Sequence, residues 1–180
     1  MDSKVQLALE GTTRRACRLL EERREGREER MSEVERSQDS LRISRVFPAT
    51  RQRTFRAWTD PTELKKWWRV GKNFVLTVAE IDLRVGGGFR IGVESPSGSL
   101  HMVRGKFLEV VPPERLVYTW IAEDPNLKQI ETLVTVEFLE RGDGTEISLL
   151  HEKLKDGGLR ESTRFGWASV IDGLATLLKG

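Results

Sequence analysis

FRAWTDPTELKKWW, residues Phe55 to Trp68, decides the fold. Asp60 stands before Pro61, and Glu63 follows one turn later. That is a helix start, with a capping carboxylate, a proline in the first turn and a second carboxylate placed to reach back. Leu64, Trp67 and Trp68 then recur at helical spacing on one side, with Lys65 and Lys66 on the other. Upstream, Phe55 and Trp58 repeat the spacing before Thr59-Asp60-Pro61 interrupts it, which predicts two short helices meeting at a bend. Such a pair cannot shield its tryptophans alone, so the rest of the chain must supply a sheet.

On the N-terminal side, Leu41–Phe47 alternates Leu41, Ile43 and Arg45 against Arg42, Ser44 and Val46, and Pro48 ends it. This is a strand, after which Thr50 is placed to cap the first helix. Beyond Trp68 the chain reads as strand after strand. Gly86-Gly87-Gly88 separates Val75–Leu83 from Phe89–Val93, and Ser95-Pro96-Ser97-Gly98 separates that from Leu100–Val111. Pro112-Pro113 precedes Arg115–Ala122. After Asp124-Pro125-Asn126 a strand from Glu131 to Leu139 turns at Gly142-Asp143-Gly144 into Thr145–His151. Strands joined by short turns form an antiparallel meander.

The last segment changes period. Trp167, Val170, Ile171, Leu174, Leu177 and Leu178 mark a long helix with one apolar stripe. Gly166 and Gly173, on one flank, are expected to let its backbone approach the sheet. Phe165 points away from the stripe. The class is therefore α+β: a curved antiparallel sheet of about seven strands, two short helices after the first strand, and a long C-terminal helix across the concave face. A curved sheet stands away from a straight helix near its middle, and the gap is where a ligand would go.

Composition bounds the function. The 180 residues carry 30 lysines and arginines against 28 acidic residues, with no single-sign block large enough for a nucleic-acid footprint. Cys17 is the only cysteine, which excludes an internal disulfide, leaves no Cys/His cluster for zinc and suits a reducing cytoplasm. No run approaches the roughly 20 apolar residues of a membrane span. The expectation is a soluble cytoplasmic protein without metal or cofactor.

Residues 1–40 differ from residues 41–180. Glu21 to Arg36 is nearly all glutamate and arginine, and pairs such as Arg24 with Glu28 support a solvated helix only weakly. The segment is expected to be a mobile or loosely helical extension, with Leu7, Leu9, Leu19 and Leu20 as docking side chains if it meets a partner. Met31 would serve equally well as a start.

Three stretches together carry a resemblance: Phe55-Arg-Ala-Trp58-Thr-Asp-Pro61 with Trp67-Trp68, then Asp82-Leu-Arg84-Val-Gly-Gly87, then Val111-Pro-Pro-Glu-Arg-Leu-Val-Tyr118-Thr-Trp120. In order and spacing, from about Leu41 to Leu178, they resemble the START-like (SRPBCC) superfamily of birch-pollen-allergen fold. Within it they look like the branch named for the activator of the heat-shock protein 90 ATPase. The resemblance implies a helix-grip fold with an internal cavity. The eukaryotic activators carry a large separate N-terminal domain that grips the chaperone, and residues 1–40 are too short and too polar to be one.

Strand alternation nominates the residues facing the cavity. Phe89 and Ile91, Tyr118 and Trp120, Val136 and Phe138, and Leu149 and His151 come from four strands, the last three of them successive. Trp67, Phe74, Met102, Trp167 and Ile171 complete the set. Tyrosine, tryptophan and histidine among aliphatics need polar partners inside, which a ligand, a backbone carbonyl or a water would supply. No catalytic residue or triad stands out. Glu80 and Asp82 share a face expected to meet water, paired with Arg84 or Arg90, and His101 follows a turn. The triple glycine lacks a following Gly-Lys-Ser/Thr and a helix, so it reads as a hairpin rather than a phosphate loop. The leading reading is a module that binds a small hydrophobic or amphipathic ligand. The alternatives that the resemblance implies are a chaperone- or protein-docking module of the ATPase-activator type, or a polyketide cyclase- or dehydratase-like enzyme using His151 and Tyr118 as proton shuttles. Oligomeric state leaves no mark in the sequence.

Overall fold

The structure, a computed structural model, describes residues 39–71, 73–123 and 129–179. Strand β1 (Leu41–Phe47) leads into helices α1 (Arg51–Thr59) and α2 (Pro61–Trp67). Strands β2 (Val75–Ile81), β3 (Gly88–Glu94), β4 (Leu100–Val111), β5 (Arg115–Glu123), β6 (Glu131–Arg141) and β7 (Gly144–Glu152) follow, and helix α3 (Gly157–Leu178) ends the domain. The expectations for residues 1–38, including the four leucines and the Arg24–Glu28 pair, lie outside the described residues, as does the turn at Asp124-Pro125-Asn126.

The seven strands form one antiparallel sheet in the order β1-β7-β6-β5-β4-β3-β2. The meander β2 to β7 is sequential, and β1 closes beside β7 with Leu41 opposite His151 and Phe47 opposite Thr145. Bulges interrupt β2 after Leu76 and β4 after Phe107, the local extra residues that let a sheet curl. At Gly105 the curl is tight: a Cβ there would lie 1.8 Å from the Thr119 carbonyl oxygen and 2.6 Å from the Phe89 ring. Only glycine fits.

The helix bend forms as its residues dictate. Thr50 caps α1 by accepting from the Arg53 N–H, and Asp60 caps α2 by accepting from the Thr62 and Glu63 N–H groups. These backbone donors hold the Asp60 carboxyl below its usual range. Glu63 does not reach back to the cap. Its carboxylate meets Lys66 at 3.1 Å and Arg53 at 2.9 Å, tying α2 to α1. Phe55, Trp58, Leu64, Trp67 and Trp68 are all buried.

Helix α3 buries Trp167, Val170, Ile171, Leu174 and Leu178 and leaves Phe165 exposed. The expected close approach at its glycines differs in two respects. Gly166 faces open space. Gly173 meets α2 rather than the sheet, because a Cβ there would lie 2.1 Å from the Trp67 carbonyl oxygen. The helix pair α1–α2 thus sits between sheet and α3 at one end of the groove, and α3 is seated on the last residue of α2.

Candidate functional site

The chain has five tryptophans, and all five join one cluster under α3, four of them buried and Trp120 half-buried at its edge. Trp58 from α1 stacks on Trp167 from α3 at 6.1 Å between ring centres, and Trp167 lies 5.1 Å from Trp120 of β5. Trp67 and Trp68 fill the space between, with Trp68 stacked on Trp120. The Trp67 indole N–H donates to the Ala57 carbonyl at 2.9 Å, so this large ring is satisfied as well as buried.

This packing sets where space remains. The space left between Trp58, Trp68, Phe89, Ile91, Tyr118 and Trp120 measures about 20 Å³, room for about one water. The larger opening lies where the sheet splays from the first turns of α3. A cleft of about 600 Å³ is lined there by Trp120, Ala122, Ile130, Thr132, His151 and Leu154, and by Asp156, Leu159, Ser162 and Thr163 at the start of α3. This volume is in the range of small-molecule sites. A groove of about 690 Å³ also crosses the outer face of the sheet, lined by Glu80, Asp82, Arg90, Arg104 and Lys106 among others. Its charges largely answer one another: Arg84 holds Asp82, Arg90 lies near Glu80, and Arg104 holds Glu123. It has the makings of a solvated surface.

At the floor of the cleft His151 is buried, on the inner face of β7 opposite Val134 of β6. The Trp167 indole N–H donates to its Nδ1 at 2.9 Å, so the ring proton resides on Nε2. Nε2–H then donates to the Thr132 Oγ1 at 2.7 Å, and the Thr132 hydroxyl donates to the Trp120 carbonyl at 2.9 Å. The chain of bonds runs α3 to β7 to β6 to β5 and leaves no ring nitrogen open. Burial pushes the His151 pKa down to about 4, so the imidazole is neutral at pH 7. Burial likewise raises the Tyr118 phenol well above its ordinary value, offset in part by a bond with the Trp58 side chain.

Of the residues expected to face a cavity, Trp120 and His151 line the cleft, and Phe89, Ile91, Tyr118 and Trp120 line the small inner space. Trp67, Val136, Phe138, Leu149, Trp167 and Ile171 are packed core. Phe74 is half-buried beside the exposed His101, with ring centres 5.7 Å apart. Met102 is on the other face: it pairs with Gly92, and its sulfur occupies the place a Gly92 Cβ would take on the outer side of the sheet. Alternation from the buried Phe107 and Val103 side would have shown this. Ala122 and Thr132 were missed although they continue the inward alternation of Trp120 in β5 and Val134 in β6, and Ile130, Leu154, Asp156, Leu159, Ser162 and Thr163 were missed because nothing in a strand pattern marks residues outside the strands. Among the described residues no group of three or more His, Cys, Asp and Glu could hold a metal, and no helix is long and apolar enough to cross a membrane.

Known proteins of this architecture are numerous. A Chromobacterium violaceum protein of solved structure is 32% identical over 79% of this chain and 98% of its own, with a TM-score of 0.72. The AHSA1 protein of Silicibacter pomeroyi is 24% identical over 78% of this chain and 97% of its own, TM-score 0.68, a likeness of fold. An HSP90 activator from Plasmodium falciparum is 28% identical over 78% and 96%, TM-score 0.60. No curated protein is significantly similar in sequence. The family model for activator of Hsp90 ATPase homolog 1-like proteins matches residues 48–179, from the turn after β1 through the end of α3, and so takes in both the tryptophan cluster and the cleft. The chain belongs to the family of activator of Hsp90 ATPase homolog 1-like proteins.

Proposed function

We propose that the domain binds a small, largely apolar molecule in the cleft between the ends of β5–β7 and the first turns of α3. The observation that carries this reading is the cleft itself. It is about 600 Å³, walled by Ala122, Ile130, Leu154 and Leu159 and floored by Trp120 and the His151–Thr132 pair, while the space deeper under α3 is filled. Catalysis by His151 and Tyr118 has less support. A neutral imidazole with both nitrogens engaged and a phenol held protonated are poor proton shuttles near pH 7.

Screening lipids and aromatic compounds by thermal shift tests the proposal. A ligand at a hundred times its dissociation constant is expected to add about 2.7 kcal/mol of stability. Ala122→Trp, on an exposed wall position, should fill the cleft and abolish the shift with little change in the unliganded melting temperature. A broad library that shifts neither protein would refute the reading.

A second reading rests on the likeness to the Plasmodium falciparum HSP90 activator: contact with a chaperone through the outer surface. It predicts that adding the full chain to purified heat-shock protein 90 raises ATP turnover. An unchanged rate at saturating concentration removes it.

A further inference from the structure

The walls of the cleft limit the charge of what it can hold, an inference that rests on the cleft being the binding site. Among the described residues, its lining has no lysine or arginine, and its ionisable groups are His151 and Asp156. His151 offers no positive charge. Its Nδ1 accepts from Trp167 and its Nε2–H donates to Thr132, so an extra proton would have to displace the Trp167 bond. Two of the three lining hydroxyls are committed as donors, Thr132 to the Trp120 carbonyl and Ser162 to the Leu159 carbonyl, and the third, on Thr163, is a neutral group that brings no positive charge.

Asp156 differs. It caps α3 with a single oxygen, Oδ1, which accepts the Leu159 N–H at 2.8 Å, and its side chain is exposed at the cleft wall. Because this carboxylate sits on the N-terminal end of α3, it already neutralises the partial positive charge that the helix would present to an anion. Lys153 and Lys155, on the loop before α3, are exposed and are not among the walls. An anionic head entering here loses water and meets a carboxylate. A cationic head meets a partner.

The apolar half of the site is rigid. Trp120 is held by stacking on Trp68 and by contact with Trp167 and His151, which fixes its ring as a platform. Flat rings and cations are the groups an indole receives best.

We infer that the cleft selects a flat apolar molecule with an amine head, its ring on Trp120 among Ala122, Ile130, Leu154 and Leu159 and its ammonium against Asp156. Anionic amphiphiles of the same shape are rejected.

A matched series tests this with the full chain at pH 7: 2-naphthylmethylamine, 2-naphthylmethanol and 2-naphthoate, titrated calorimetrically. The amine should bind about tenfold tighter than the carboxylate, with the alcohol between. Asp156→Asn keeps an N-cap acceptor, so the fold is retained; the amine should then lose its advantage and bind no better than the alcohol does to the same variant. Carboxylate binding as tight as the amine's, and blocked by Ala122→Trp, overturns the charge selection while leaving the cleft as the site. Amine binding that Ala122→Trp leaves untouched, or no binding by any of the three, overturns both.

Discussion

Trp167→Ala should remove about 4 kcal/mol of stability, a large share of what a domain of this size has. The ring is 3% exposed and touches Trp58, Trp68, Trp120 and His151, so truncation opens a void that its neighbours, held by sheet and helices, cannot close. It also strips the His151 Nδ1 of its donor. Trp167→Phe separates the two effects: it keeps most of the packing and loses the indole N–H, and should cost about 1–2 kcal/mol. Urea unfolding followed by circular dichroism reads both variants. A Trp167→Ala protein within about 1 kcal/mol of the parent would mean that the cluster does not hold α3 to the sheet.

Acidification is expected to destabilise the domain through His151. An unfolded histidine titrates near 6.5, whereas the buried one is pushed down to about 4. Between those values the unfolded chain binds the extra proton and the folded one does not. The stabilisation is therefore complete above about pH 6.5 and is lost as the pH falls toward 4, by roughly 3 kcal/mol. His151→Gln supplies the control, because its amide can still accept from Trp167 and donate to Thr132 without titrating. The stability of the parent relative to this variant should fall steadily from pH 7 to pH 4. A difference that is flat over that window would show that His151 is protonated as readily folded as unfolded.

The site was legible in part, and its two halves show why. Trp120 and His151 could be named because strand alternation depends on backbone geometry alone: once Arg115–Glu123 and Gly144–Glu152 are strands, their inward side chains are settled. Asp156, Leu159 and Thr163 could not, since they reach the cleft only through the angle at which α3 leaves the sheet. The pairing of Glu63 with Arg53 instead of its own helix end has the same origin, a partner brought in by the bend between α1 and α2.

The sequence by itself determined the element order, the antiparallel meander, the caps at Thr50 and Asp60, and the inward faces of four strands and α3. All of these follow from periods of two and three to four residues and from local backbone chemistry. The tertiary structure alone decided how the interior is filled. Five tryptophans from α1, the C-terminal end of α2, β5 and α3 converge under the long helix because Gly173 lets it rest on Trp67 and Gly105 lets the sheet close over Phe89. Whether large side chains meet and fill a groove or leave it open depends on distances between elements far apart in sequence. Periodicity fixes the direction of a side chain and carries no information on those distances.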